Sequence, residues 1–335
     1  MRTLQDFGEF GLLGHLGVDK TKLPPGWLGP GDDCALIPIG EETLAVTSDL
    51  LIEGVHFRLG TTSAVDLGYK ALAASLSDLA SMGATPLAAT ISIALPASTG
   101  IVWVENFYSG LKACEAEYGC PLVGGDTSSG EKVFINITAL GRCQGGAAVL
   151  RSGAAVGEDL WVSGWPGESR GGLLLLESEI DTDSIALQTL IKRHTRPTPR
   201  VGLGAALLKT RLATSMIDLS DGLTKDAAHI AEESGVGIDI SLSLLPVSTS
   251  LSEYSNFYGG VDLPMLVLTG GEDYELLFTA KPESREEIMG ISDTLELPLH
   301  RIGATTPPEG VAKVRVTDGD SGIFELASAG FEHFK

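Results

Sequence analysis

The stretch from Ser63 to Pro86 constrains this chain most. It predicts one helix over 63–82, opened by a capping box of Ser63 and Asp66 and closed by Gly83 and Pro86. Leu72, Leu76 and Leu79 form its apolar stripe. A second stripe holds Ala71, Ala74, Ser75, Asp78 and Ser81. Asp78 therefore lies on a face of small residues, where another backbone can come close.

The flanking segments predict an N-terminal unit, 1–147. Residues 43–49 (TLAVTSD) alternate like a strand that ends in polar residues; 86–95 and 133–140 read as strands and 101–118 as a helix. Residues 121–123 lead into a Gly-rich turn, VGGDTSSG. The small, Gly-rich segment 141–148 is the best boundary, and 148–335 forms a second unit. There the turn RSGAAVGED precedes a strand at 159–163 and a helix at 171–177. Arg196–Arg200 is a Pro-broken connection that opens a helix near 201–208. A strand–turn–helix covers 215–234, and a strand near 264–269 precedes TGGEDYELLF. Residues 250–260 have no assignment. Strands and helices mixed in both halves predict two α/β domains.

Of 335 residues, 43% are hydrophobic, enough for a core in each unit. The formal charge is −21, from 44 acidic against 23 basic side chains, which disfavours nucleic acid and anionic membranes as partners. An acidic protein that handles an anionic substrate needs cations between the two. The cysteines Cys34, Cys114, Cys120 and Cys143 form no C-x-x-C and no zinc-like spacing with histidine. They read as reduced, buried small hydrophobes of a cytoplasmic protein. No apolar run approaches the roughly 20 residues of a membrane span. Phe7 to Leu16 is Gly-broken and carries Glu9 and His15, unlike a secretory signal.

Six aspartates mark strand ends, Gly-flanked turns or the small-residue helix face: Asp33, Asp49, Asp78, Asp126, Asp218 and Asp221. Singly, each could be a turn or cap residue, and Asp221 reads strongly as a cap of the helix after it. An acid after LAVTS or SMI, however, sits at the edge of a buried strand, where desolvation is costly. Two carboxylates about 4 Å apart repel by roughly 4 kcal/mol at an effective dielectric of 20. If several converge, a cation must sit between them; oxygen-only ligands suit Mg²⁺, which commonly bridges carboxylates to phosphates. No P-loop, protein-kinase or serine-hydrolase signature is present. Lys70 and Arg151 are the nearest cations to the motifs, and Arg151 is favoured by its place at the boundary. His56 reads as structural or as a functional loop residue. Glu272, in a two-Gly turn, is either solvated or orients a substrate amine.

GDDCA, TSDLLIEGVHF, DLGYKALAASLSDLASMGA, VGGDT, RSGA, IKRHTRPTPR, IDLSDGL and GGEDYEL occur in this order. Together they resemble the thiamine-monophosphate kinase family of the aminoimidazole-ribonucleotide-synthetase-like superfamily. The resemblance runs from Glu9 to about Phe278, with a terminal GFEHF. It implies two mixed-sheet α/β (α+β) domains, a homodimer through the N-terminal domains, and direct transfer of the ATP γ-phosphate to thiamine monophosphate. It implies Mg²⁺ ligands at Asp33, Thr47, Ser48, Asp49, Asp78, Asp126 and Asp218, with Asp221 more peripheral; Asp49, Asp78 and Asp126 are the central acids. It implies ATP contacts at Tyr108, Gly125, Asp126, Arg151 and Ser220, and substrate contacts at His56, Glu272 and Phe331. Glu158 departs from the usual Gly–Asp turn of the family. The rival readings are another synthetase of the superfamily, such as a selenophosphate synthetase, and a non-enzymatic acidic metal-binding protein. The first lacks support because no reactive cysteine stands in a Gly-rich N-terminal segment.

Overall fold

The structure, a computed structural model, describes residues 15–16, 23–178, 183–308, 314–318 and 322. Phe331 lies outside them. The first sheet has the order β1(Ala35–Ile39), β2(Glu42–Ile52), β5(Phe134–Cys143), β3(Thr85–Leu95), β4(Leu122–Ser129). Only β3 and β4 run parallel. One face carries Ala45, Ile91, Ile93, Ile135, Ile137 and Ala139 into a core shared with helices α1(Ala64–Ser81) and α2(Ile101–Tyr118). No described helix is long and apolar enough to cross a membrane, and all four cysteines are free and buried.

The second sheet has the order β11(Val314–Thr317), β8(Gly237–Ser241), β10(Leu299–Thr306), β6(Asp159–Ser163), β9(Leu276–Ala280), β7(Ala213–Asp218). It is buried on both faces, so its strands read as apolar runs rather than alternating ones. Leu160, Val162, Ile217 and Leu277 point into a core with α3(Glu168–Glu177), α4(Ile185–Thr195), α6(Leu223–Ser234), α7(Thr249–Tyr258) and α8(Leu263–Thr269). Their neighbours Trp161, Met216, Leu276 and Phe278 point the other way, against α5(Val201–Thr210), α9(Arg285–Leu295) and Ala80 of α1.

Helix α1 is the element common to both halves. All its residues except Val65, Asp66 and Asp78 are buried. Ser63 caps it, accepting from Asp66 N at 3.1 Å while its hydroxyl donates to the Asp66 carboxylate at 2.7 Å. A close backbone approach does occur on this helix, though at Ala80, outside the stripe of small residues: a Cβ on Gly204 of α5 would stand 1.9 Å from Ala80 O. Nearer its start the helix meets α2 backbone to backbone, since a Cβ on Gly110 would stand 1.7 Å from Val65 O.

Three expectations fail. VGGDTSSG is the edge strand β4, not a turn, because parallel pairing with β3 keeps it extended. Strand β2 runs on to Ile52, so Asp49 lies inside it rather than at its end. Residues 263–269 form a helix, not a strand: Asp262 accepts from Met265 N at 3.0 Å and Pro264 sits in the first turn, both helix-start signals. Residues 250–260 fall largely on α7, capped by Ser248, whose side chain accepts from Leu251 N.

The contact of α5 with α1 gives glycines two residues apart opposite tolerances. Gly204→Ala should cost roughly 1–3 kcal/mol in urea unfolding, because two helix backbones must part. Gly202→Ala meets only Leu295 Cδ2, at 3.9 Å, and should be neutral or stabilising by up to about 1 kcal/mol.

Candidate active site

Four acids from four places in the chain approach one another around α1. Asp33 comes from the bend before β1, Asp49 from β2, Asp78 from α1 and Asp218 from the end of β7. Hydroxyls on the helix and on β2 fix them. Ser75 donates to Asp49 at 2.6 Å and Ser77 to Asp218 at 2.7 Å, while Thr47 donates to Asp78. Arg151 grips Asp33 Oδ1 through Nε at 2.9 Å and through Nη2. The other oxygen, Asp33 Oδ2, is buried and has no hydrogen-bond partner among the described residues.

The electrostatics show how uncomfortable this crowd is. Burial, and then Asp49, Asp218 and Asp33, push Asp78 well above the usual carboxylate range. Burial and Asp33 raise Asp218 to about 8, and burial raises Asp49. Asp32, next in the chain, is lifted to about 7 by burial and by Asp33; it also accepts from Arg151 N at 3.3 Å. The donors are all oxygen, one buried oxygen is orphaned, and Arg151, paired with Asp33, is the cation that offsets the mutual repulsion among the described residues. This set fits a hard divalent cation. Among the described residues, no three His, Cys, Asp or Glu side chains already meet as a finished ion cage.

Two expected members of the set stand elsewhere. Side chains alternate along a strand, so Thr47 and Asp49 face α1 while Ser48 faces away. The Ser48 hydroxyl lies 3.1 Å from Thr138 Oγ1 and accepts from Asn136 Nδ2 at 3.0 Å. Asp126 pairs in register with Ser92, which pairs with Asn136, on that same open face. Asp126 is exposed and is not brought together with Asp49 and Asp78 within one chain. Its neighbour Gly125 must be glycine, since a Cβ there would stand 1.8 Å from Ile91 O. Tyr108 lines a shallow depression of about 450 Å³ along α2 with Val104, Glu105, Ser109 and Lys112; none of the acids lines it.

Asp221 is not the cap of α6. The N-cap is Gly222, with no side chain to offer; Asp226 of the first turn reaches back to accept from Asp221 N at 3.2 Å and Gly222 N at 3.0 Å, while Asp221 pairs with Lys225. The half-buried Ser220 anchors the GGEDYE segment, its carbonyl accepting from Glu272 N at 2.8 Å. Glu272 and Tyr274 hold φ of +61° and +52°, a left-handed backbone that costs of order 1 kcal/mol or more for each non-glycine residue. Glu272 Oε1 lies 2.9 Å from Lys70 Nζ, and Oε2 lies 3.6 Å from His194 Nδ1. Burial works to raise the Glu272 carboxyl, and Lys70, His194 and His56 overcome it, leaving it below its ordinary value. Burial and Lys70 press His194 down to about 4, so it is neutral near pH 7. Nδ1 of His56 accepts from Ile52 N at 3.0 Å, which puts the neutral ring's proton on Nε2.

Sequence reasoning ranked Lys70 below Arg151 and passed over His194, Ser75 and Ser77 as donors. The signal was available: hydroxyls one and three residues before Asp78 share its helix.

The raised acids fix a pH dependence. Their folded-state pKa exceeds the unfolded 3.8, so the native state binds more protons and ion-free stability falls as pH rises towards about 8. Added Mg²⁺ should therefore raise Tm more at pH 8 than at pH 6, and calorimetry in buffers of different ionisation enthalpy should show proton release on binding. A Tm gain independent of pH would contradict the raised carboxylates.

Comparison with known proteins places the chain in a family. The family profile described as AIR synthase related protein, N-terminal domain, matches residues 31–143, and its C-terminal domain counterpart matches 156–315. The chain is 41% identical over 332 residues to thiamine-monophosphate kinase of Escherichia coli K12, covering 98% of each. It is 39% identical over 312 residues to that of Haemophilus influenzae, covering 92% of each. Against the solved structure of AaThiL complexed with AMPPCP and TMP, the TM-score is 0.86 at 35% identity, covering 99% of each chain.

Proposed function

The chain belongs to the thiamine-monophosphate kinases of the AIR synthase related family, and from that premise we propose that it transfers the γ-phosphoryl group of ATP in line to the phosphate of thiamine monophosphate. The P–O bond to the β-phosphate breaks, a new P–O–P bond forms, and ADP and thiamine diphosphate leave. The observation that carries this reading is the crowd of Asp33, Asp49, Asp78 and Asp218 with the orphaned Asp33 Oδ2. A phosphate monoester is already a nucleophile near neutral pH, so the acids need not act as strong bases. Positioning and charge are most of what phosphoryl transfer asks of a protein.

We assign Asp33, Thr47, Asp49, Asp78 and Asp218 to hold Mg²⁺, with Asp221 peripheral. Mg²⁺ bound there would supply the positive charge that lets two phosphate anions approach. Arg151 orients Asp33 and offers its guanidinium to the triphosphate, Ser220 and Gly125 contact ATP, and Tyr108 is a further ATP contact. His56 and Glu272 meet the substrate, as does Phe331 through its ring. Reduced, buried cysteines support a cytoplasmic setting.

Ser48 and Asp126 enter through a second copy. Among the described residues, one face of the first sheet is uncovered, with Leu50 at 49% and Val123 at 64% exposure on its strands. A homodimer over that face would carry Asp126 to the partner's acids. Asp49→Ala and Asp126→Ala should each fold and each lower kcat by at least about a hundredfold. Near-normal turnover in both would remove the Mg²⁺ assignment. Mixing the two inactive variants should restore ADP formation, because a mixed dimer has one intact set; no recovery would place Asp126 in its own chain's site or in none. Val123→Arg should yield a monomer by light scattering.

A further inference from the structure

Lys70 is a lysine with 2% of its side chain exposed, on the most buried helix of the protein. A lone buried ammonium is strongly disfavoured, so its partner defines its purpose. That partner is Glu272, at 2.9 Å, which α1 reaches across the junction between the two halves of the chain. The turn that carries Glu272 is held rather than relaxed. Its backbone is left-handed at Glu272 and Tyr274, and it is pinned by Glu272 N on Ser220 O at 2.8 Å and Tyr274 N on Leu219 O at 2.9 Å. On the far side, His194 stands 3.6 Å from Oε2 and its Nδ1 lies 3.1 Å from Ser169 Oγ. Glu272 is thus fixed at its backbone and at Oε1, with Oε2 near His194 and 27% of its side chain still open to solvent.

We propose that Lys70 is a positioning residue for the acceptor substrate: it locks Glu272 as an ionised acceptor aimed at the exocyclic amine of the substrate's aminopyrimidine. This rests on the reading of Glu272 as a substrate contact. Helix α1 also sets a length. Lys70 and Asp78 are two helical turns and a fraction apart, a rise of about 12 Å, so one rigid element spaces the amine reader from the acids that receive phosphate. An acceptor must carry its amine and its phosphate at that separation to satisfy both ends.

Steady-state kinetics separate this role from a merely structural one. Lys70→Met should raise KM for thiamine monophosphate about tenfold or more, with KM for ATP unchanged and kcat within about threefold, a loss of binding alone. Lys70→Arg should recover most of it. Glu272→Gln should show the same rise, and adding Lys70→Met to it should add little, since the residue to be positioned has gone. The thiazole phosphate fragment, which lacks the aminopyrimidine, should be a poor acceptor whose KM ignores Lys70→Met. Should Lys70→Met fail to fold, Lys70→Gln, which removes the charge that holds Glu272 but keeps a polar tip in the buried site, carries the same tests. If Glu272→Gln leaves KM for thiamine monophosphate unchanged, the substrate contact itself is wrong. If Glu272→Gln raises it but the Lys70 variants do not, or if they impair both acceptors and ATP alike, the positioning role is overturned.

Discussion

Four carboxylates packed around one buried helix are the constraint on which the rest of this structure depends. Each unit by which a carboxyl is raised corresponds to about 1.4 kcal/mol, so ionising the whole set without a cation costs several kcal/mol. The fold tolerates this because α1 and β2 supply hydroxyls to three of the acids, Arg151 holds the fourth, and α1 is itself gripped near both ends. Ser75 and Ser77 serve Asp49 and Asp218, and the backbones of α2 and α5 come into direct contact with α1 at Gly110 and Gly204. Small residues on this helix are therefore a condition for the acids to converge. Side chains of ordinary size would hold the second sheet, and with it Asp218, too far away.

The GGEDYE segment is the counterpart of α1 in the second half. Its three acids serve three partners. Glu272 meets Lys70 across the junction. Asp273 accepts from Gly167 N at 2.7 Å and Ser169 N at 3.0 Å, capping α3. Glu275 is bonded by Arg200 at 2.6 Å and by Ser163. Alternate side chains of an extended strand could not reach such divergent targets. The positive φ at Glu272 and Tyr274 supplies the turns that make it possible, so the local strain has a definite return: one short segment ties α1, α3 and α5 to the same corner of the site.

Much of this was legible in the sequence. The capping box of α1, its small stripe and the Gly–Pro stop gave an element whose bounds the structure reproduces within one residue. The apolar context of Asp49, Asp78 and Asp218 pointed to desolvated acids, and burial with mutual repulsion is what raises them. Where the reading failed, tertiary context decided. Glycine in VGGDTSSG means conformational freedom to a local rule, but pairing with β3 uses that freedom for a close backbone contact at Gly125 instead of a turn. LPMLVL reads as a strand by composition, yet Asp262 and Pro264 start a helix. Asp221 does not cap the helix because the chain enters it one residue later, at Gly222, and Asp226 reaches back from the first turn to hold the amides of Asp221 and Gly222. Lys70 and His194 were hidden for a different reason. Their meaning lies in Glu272, about 200 and 80 residues further along, and no local pattern encodes a pairing across that separation.

The TSD triplet of β2 carries the sharpest consequence of strand geometry. A resemblance in sequence groups Thr47, Ser48 and Asp49 as one ligand set, but a period of two cannot present three consecutive side chains to one place. Thr47 and Asp49 turn to α1; Ser48 turns to Asn136 and Thr138 on the open face, where the register also puts Asp126. The parity of the sheet thus divides the acids and hydroxyls into two groups, one under the helices and one on an uncovered surface. No rotamer carries Asp126 through the sheet. If both groups act on the same phosphates, the open face has to be closed by another copy of the chain. On that condition, the face left uncovered among the described residues and the divided ligand set are two signs of one requirement, a working unit larger than the folded chain.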